Sequence, residues 1–171
     1  MSTPGHWAIL KPHKDLHLLV AACQNKIHKI CYLSNKLQQL EALKAALPAI
    51  GWKENAKEPI IKVIETQTKQ YFARKRKSFD VPLEFHGTDF QKTVWTGLMR
   101  VPFGDLLSYG DLASFIDKPK AARAVGGAVS ACDHLIVVPA HRVIAGNGTI
   151  GGFGCNLHVK RLLLHVEGHE L

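Results

Sequence analysis

SYGDLASFIDKPKAARAVGGAVS, residues Ser108–Ser130, decides how this chain is read. Ser108-Tyr109-Gly110-Asp111 begins a short helix through Ile116, Asp117-Lys118-Pro119 turns the chain, and a second helix runs from Lys120 to Ser130. Two short helices across a tight turn make a helix-turn-helix candidate. In the second helix Ala and Gly dominate, and Arg123 is the one long side chain near its middle. Gly126-Gly127 costs about 1 kcal/mol per glycine in helix propensity, so something must approach the backbone closely there. Tight helix packing would serve, and so would insertion into a DNA groove with Arg123 as an intercalating or base-replacing probe.

Outward from this segment, Thr88 with Gln91 caps a helix whose apolar face is Phe90, Val94, Trp95 and Leu98, ended by Val101-Pro102-Phe103-Gly104. On the other side, Leu135–Val138 reads as a short buried strand delivering Pro139-Ala140-His141-Arg142-Val143-Ile144 at its end. A Gly-rich loop follows over 146–154, and a strand end before such a loop is good ground for a site. A last helix, with Leu157, Arg161 and Leu164 on one face, brings in Glu167. His141 and Glu167 have the chemistry of a general-base relay, a carboxylate orienting an imidazole, but the residue before His141 is alanine.

The first half reads as β-type stretches around His6–Leu10, Leu16–Ala22 and Ile27–Leu33, with hairpin-length polar breaks that favour an antiparallel meander. Asn35 with Gln38 then starts a helix with Leu37, Leu40, Leu43 and Leu47 on one face, stopped by Pro48. A second helix enters at Glu58-Pro59, buries Ile60, Ile64 and Tyr71, and ends in the basic run Arg74-Lys75-Arg76-Lys77. The character of the chain changes near His86-Gly87-Thr88, which sets the expected boundary between domains 1–85 and 86–171.

The chain has 171 residues, 46% of them hydrophobic, enough to bury a core, which excludes a disordered protein. No apolar run approaches the roughly 20 residues of a membrane span, and the start lacks a signal peptide's pattern, so an intracellular protein is expected. Twenty-two Lys and Arg against 14 Asp and Glu give a net charge of +8, which suits a polyanionic partner or simply a basic solubilising surface. Cys23, Cys31, Cys132 and Cys155 show no paired spacing and read as reduced thiols. Cys23 and His28 could bring two zinc ligands together, with His6 and His86 as completions, but an apolar Cys and an exposed turn His is the favoured reading. A structural site needs four convergent ligands, so no metal and no cofactor is assigned.

Thr88 to Trp95, Ser108-Tyr109-Gly110, Pro119 to Gly127, Pro139 to Val143, Gly151 to Gly154 and Glu167-Gly168 resemble the O6-alkylguanine-DNA alkyltransferases, also called methylated-DNA-protein-cysteine methyltransferases. The second half fits closely and the first in length and element order. The resemblance implies a ribonuclease H-like α/β N-terminal domain on a small antiparallel sheet, and a mostly helical C-terminal domain with a winged-helix-like helix-turn-helix. It also implies a DNA-repair monomer that binds double-stranded DNA through the minor groove. Such a protein flips an alkylated guanine out of the stack and takes the alkyl group onto the cysteine of a Pro-Cys-His-Arg motif.

Here that motif reads Pro139-Ala140-His141-Arg142. By the same resemblance Ala140 occupies the acceptor position, His141 matches the histidine that removes the thiol proton through water, and Glu167 its carboxylate partner. Arg123 matches the finger filling the space of the flipped base, on a recognition helix whose small residues Ala121, Ala122 and Gly126 face the DNA. Tyr109 matches the tyrosine that crowds the phosphate and bonds the flipped guanine. Val143 supplies a carbonyl to the guanine amine, Phe153 a pocket wall, and the Gly154 N–H faces the guanine oxygen. Cys132 stands where the family has a hinge asparagine, and a thiol cannot replace several amide hydrogen bonds. The expected function is therefore lesion binding without transfer, by a protein residing with the DNA, in nucleoid or nucleus. The alternatives are a repair methyltransferase with an inactivating Cys-to-Ala change at 140, and a non-lesion helix-turn-helix DNA-binding module.

Overall fold

The chain opens with β1 (Thr3–His13), β2 (Leu16–Cys23) and β3 (Lys26–Tyr32), paired antiparallel in sequence order. The β2–β3 turn places Gln24 and Asn25 at φ 51° and 60°, the double left-handed conformation whose twist matches that of the flanking strands. Residues 2–152 and 156–171 are described by this computed structural model, and they form two units, Met1–Glu84 and Phe85–Leu171.

The first unit's sheet is mixed rather than antiparallel. Helix α1 (Lys36–Ala46) carries the chain to β4 (Ile50–Glu54), which lies parallel to β1 and gives the order β3-β2-β1-β4. Only Trp52 of β4 is buried and Gly51 interrupts it, so the segment has no alternation by which a strand could be read. Strand residues alternate between faces. Trp7, Leu19, Ala21 and Cys23 meet Leu40, Leu43 and Trp52 on one face, and α2 (Pro59–Phe72) packs against β1 and β2 through Ile60, Ile61, Ile64 and Tyr71. Leu37, expected on the buried face of α1, is exposed. The basic run Arg74–Lys77 lies beyond α2 rather than in it. Arg74, at φ 58°, ends the helix with its N–H on Tyr71 O while the Lys75 N–H reaches Gln70 O.

In the second unit Thr88 and Gln91 form a reciprocal capping box that starts α3 (Asp89–Leu98). Ser108 and Asp111 repeat the device after the two-residue β5 (Leu107–Ser108), starting α4 (Tyr109–Phe115). Asp117, at φ 61°, closes α4, with the Lys118 N–H on Ala113 O. Helix α5 (Ala122–Ser130) begins two residues later than expected, so Arg123 is its second residue rather than near its middle. Buried Trp95 joins α3 to α5 by donating its indole N–H to Ala128 O at 2.8 Å. The buried stripe of α6 (Leu157–Val166) is Val159, Lys160, Leu163, Leu164 and Val166, whereas Leu157 and Arg161 are exposed.

Gly5 of β1 pairs with Trp52 of β4, and a Cβ there would stand 2.4 Å from Ile50 Cγ2 and 2.9 Å from the Trp52 ring. Gly5→Ala is expected to destabilise the chain by about 1–3 kcal/mol, because a stiff branched side chain and a packed indole must shift. At Gly51 the one close approach of an added Cβ would be the hydroxyl of exposed Ser2 at 2.7 Å, with Ser2 Cβ and Thr3 O at ordinary contact distance, so Gly51→Ala should cost clearly less. Urea midpoints of the two variants check the order; an equal or reversed ranking contradicts the β1–β4 packing.

Candidate functional site

Leu135–Val138 is buried as its apolar sequence requires, but it is not a strand. The Val138 N–H reaches His134 O at 3.0 Å, that of Val137 reaches Leu135 O at 2.9 Å, and that of Ala140 reaches Val138 O at 2.8 Å. The last two bonds close three-residue turns centred on Ile136 and Pro139. Pro139, at φ −80° and ψ 58°, adopts the relaxed form, while Ile136, at φ 73°, is held in the strained mirror form. Periodicity could not separate this chain of turns from a strand, because burial in a short apolar run looks the same for both. The turns lead into a 3-10 turn over Ala140–Arg142 and then β6 (Val143–Ile144), parallel to β5.

The 3-10 turn aims two side chains at one carboxylate. Glu167 is the C-cap of α6, where Gly168 at φ 93° ends the helix. Its Oε2 pairs with His141 Nε2, while its Oε1 accepts from Arg142 Nε at 2.7 Å and from the Gly104 N–H at 3.0 Å. Arg142 also donates to Val101 O, and His169 Nε2 donates to Gly104 O at 2.7 Å, so loop 101–104 is held to the chain end. Burial alone would raise the pKa of Glu167, but the His141 hydrogen bond and charge, the Gly104 N–H and Arg142 outweigh it and hold it at about 2. Burial lowers the His141 pKa despite the Glu167 bond, helped by the charges of Arg142 and Lys160. Near neutral pH the pair is thus an ionised carboxylate and a neutral imidazole. Because the carboxylate can only accept, Nε2 carries the proton and Nδ1 is the basic nitrogen of the ring.

Ala140, directly before this base, is buried. Tyr109 opens α4 and its ring lies against Gly126 of α5, where a Cβ would still fit at 3.6 Å. Burial raises the phenol pKa. A Cβ on Gly127 would meet nothing within 4 Å, so internal packing does not explain that glycine. Arg123, Ala124 and Gly127 are exposed, Ala121 is the N-cap of α5 and Ala122 its first residue, and Arg123 has no hydrogen bond or ion pair among the described residues. Burial pushes the Cys132 thiol up to about 12, an effect that the backbone of His134 only partly offsets. Val143 is in β6, and its carbonyl accepts from Lys160. Phe153, Gly154 and Cys155 lie outside the described residues.

The two-ligand zinc candidate gains no third member. No three His, Cys, Asp or Glu side chains among the described residues could hold a metal together; Cys23 donates to Pro4 O and His6 pairs with Glu58.

The family model of the 6-O-methylguanine DNA methyltransferase DNA binding domain matches residues 89–169. A methylated-DNA-protein-cysteine methyltransferase of Methanosarcina acetivorans is 44% identical over 118 residues, 69% of this chain and 74% of that relative. The chain belongs to the methylated-DNA-protein-cysteine methyltransferase family. The crystal structure of the Mycobacterium tuberculosis O6-methylguanine methyltransferase, 31% identical, superposes with a TM-score of 0.80 over 95% of this chain and 92% of that one. A second crystal structure, of the M. tuberculosis OGT in complex with DNA, gives 0.79 at 31% identity, covering 96% and 92%. The methyltransferase fold is thus an α/β first unit followed by a helical second one.

In this methyltransferase relative, sequence reasoning passed over Gly104, His169 and Lys160. The first two act through long-range bonds that leave no local pattern. Lys160 did leave one: it sits three and four residues from buried Leu163 and Leu164.

Glu167→Gln would leave the buried Arg142 without its counter-charge and is expected to cost about 3 kcal/mol near neutral pH. Since the folded pKa of Glu167 lies below its ordinary 4.5, its contribution is complete above that value and is lost as the pH falls towards about 2. The stability gap between the two chains should therefore narrow across that window in denaturant titrations; a gap constant from neutral to acid pH would contradict the network.

Proposed function

We propose that this chain binds duplex DNA containing an O6-alkylated guanine through the minor groove, flips the lesion out of the stack, and holds it without taking the alkyl group. The observation carrying this reading is a buried imidazole–carboxylate pair, His141 with Glu167, set directly behind a residue that has no nucleophile, Ala140. Alkyl capture needs a thiolate, and a methyl side chain supplies none. The family match supports duplex DNA as partner, as does the net charge of +8. The exposed face of Arg123, Ala124 and Gly127 supports α5 as the groove element with Arg123 as the finger. In this reading Ala121, Ala122 and Gly126 let the helix approach, Tyr109 and the Val143 carbonyl receive the base, and Phe153 and Gly154 complete the pocket.

The strand order β3-β2-β1-β4, with β4 parallel to β1, supports a ribonuclease H-like description of residues 1–85; the α4–α5 pair supports a winged-helix-like one for 86–171. No helix among the described residues is long and apolar enough to cross a membrane. The protein would act as a monomer wherever the DNA lies. A methyltransferase carrying an inactivating change at 140 is the second reading, favoured by the intact His141–Glu167 pair.

Ala140→Cys separates the two. If only the acceptor is missing, this single variant should take the methyl group from O6-methylguanine DNA rapidly. If the chain has diverged at the hinge as well, transfer should be slow and rise on adding Cys132→Asn, whose amide meets donors and acceptors that a thiol leaves unmet. A double variant that binds the lesion but never transfers would remove the base role of His141 and Glu167.

Arg123→Ala is expected to abolish the fluorescence rise of 2-aminopurine at the target step while weakening plain-duplex binding by no more than one charge's worth. An unchanged flipping signal would exclude the finger role.

A further inference from the structure

The net charge is divided unevenly between the two units. Met1–Glu84 carries 14 Lys and Arg against seven Asp and Glu, whereas Phe85–Leu171 carries eight against seven. Two of those eight, Arg142 and Lys160, are buried. The unit that contains the matched DNA binding domain is thus nearly neutral, and almost all of the excess positive charge lies in the other. Attraction to a duplex grows with the number of phosphates that lysines and arginines neutralise, so a nearly neutral unit supplies little of it.

Helix α2 gathers part of that charge on one side. Its buried stripe of Ile60, Ile61, Ile64 and Tyr71 faces the sheet, while Lys62, Thr66 and Lys69, at intervals of four and three, are exposed. Arg74, Lys75 and Lys77, beyond the helix end, are exposed too. Arg76 turns back instead. Its Nε donates to Gln70 Oε1 at 2.8 Å and a terminal nitrogen to Ser78 O at 3.0 Å, while the Asp80 N–H donates to Gln67 Oε1 at 3.0 Å. The segment after α2 is thereby laid along it, and Lys62, Val63, Thr66, Gln67, Gln70 and Arg76 line a depression of about 310 Å³.

Two acids reach these cations, Glu65 at 3.6 Å from Lys62 and Asp80 at 3.4 Å from Arg76. Exposed pairs of this kind are weak and leave both cations open to a phosphate. The side chains of Lys69 and Lys75 have no hydrogen bond or ion pair among the described residues. The helix dipole favours cations in the last turn, which accounts for Lys69 and the run after it, but it disfavours Lys62 in the first turn. A polyanion laid along the helix accounts for both.

We propose that this side of α2, with the run 74–77, is a DNA contact of its own, a face that takes the backbone phosphates of a duplex without reading sequence or lesion. From Lys62 to Lys69 it spans about 10 Å, over which a duplex presents about three phosphates per strand. Phosphate contacts of this kind hold and orient a protein and carry no base information. The proposal needs duplex DNA as the partner, which family membership supports, but not the flipping of a lesion.

The test uses the full chain and a fluorescently labelled, unlesioned duplex of about 30 base pairs, titrated between about 50 and 200 mM salt. Lys69→Gln/Lys75→Gln removes two charges from the face without breaking a side-chain bond, and Lys36→Gln/Lys44→Gln removes two exposed charges from α1. The first variant is expected to flatten the slope of log affinity against log salt by about 1.8, near 0.9 for each lost phosphate contact, and to weaken low-salt binding at least about tenfold. The second should change affinity less than about twofold. The preference of each for an O6-methylguanine duplex over a plain one should equal that of the unmodified chain, because the two duplexes share one backbone. Lysine acetylation of the unmodified chain gives the same answer without a variant: duplex at low salt should protect Lys62, Lys69 and Lys75 but not Lys36 or Lys44.

An unchanged slope in Lys69→Gln/Lys75→Gln overturns the proposal, as does an equal loss in both double variants, which would reveal general charge rather than a face. Equal acetylation with and without duplex overturns it too. So does single-stranded RNA of the same charge competing more tightly than unlabelled duplex, an advantage lost only in the first variant. No lesion preference in any of the three chains, with the slope difference retained, would instead reject the lesion-binding reading and leave the face in place.

Discussion

A carboxylate taken out of water is tolerated only when paired and fully hydrogen-bonded, and Glu167 meets that condition by recruiting two separate parts of the second unit, the 3-10 turn and loop 101–104. Arg142 supplies the counter-charge, His141 a neutral donor, and the Gly104 N–H closes the remaining site. Each partner is thereby fixed in place. The 3-10 turn that carries Ala140 lies against the end of α6, and loop 101–104 is clamped further by Arg142 on Val101 O and His169 on Gly104 O. The same pairing sets the chemistry. With Glu167 ionised and His141 held neutral by burial, the imidazole is a base in waiting, oriented through Nε2. Ala140, directly before that base in the sequence, carries no group for it to deprotonate.

What the sequence shows of this arrangement depends on how local the cause is. The Thr88–Gln91 cap and the start of α4 at Ser108 are settled within four residues, so they were legible. The pairing of His141 with Glu167, 26 residues apart, leaves no local pattern; the chemistry of the two residue types suggested it, and motifs resembling one family matched it. β4 was not, since it has a single buried residue and owes its conformation to pairing with β1. The Leu135–Val138 segment misled for the opposite reason: its apolar run records burial, while its hydrogen bonds go to carbonyls two and four residues back.

Two interior choices stand out physically. Burial pushes the Cys132 thiol up to about 12, so that side chain stays neutral. Ile136, a branched residue at φ 73°, is held in a conformation that favours glycine, within four residues of Ala140. Buried Leu135, Val137 and Val138 around it hold that geometry in place. Lys160, on α6, is a further buried polar group, and its ammonium donates to Val143 O and Gly152 O.

Lesion capture without transfer is tested most directly by incubating the unmodified chain with an O6-methylguanine duplex in excess over an unlesioned competitor, and recording both the bound fraction and the intact-protein mass. The expected result is preferential, reversible binding of the lesion duplex with the mass of the chain unchanged. A chain heavier by one methyl group, wherever the added carbon maps, would contradict the account.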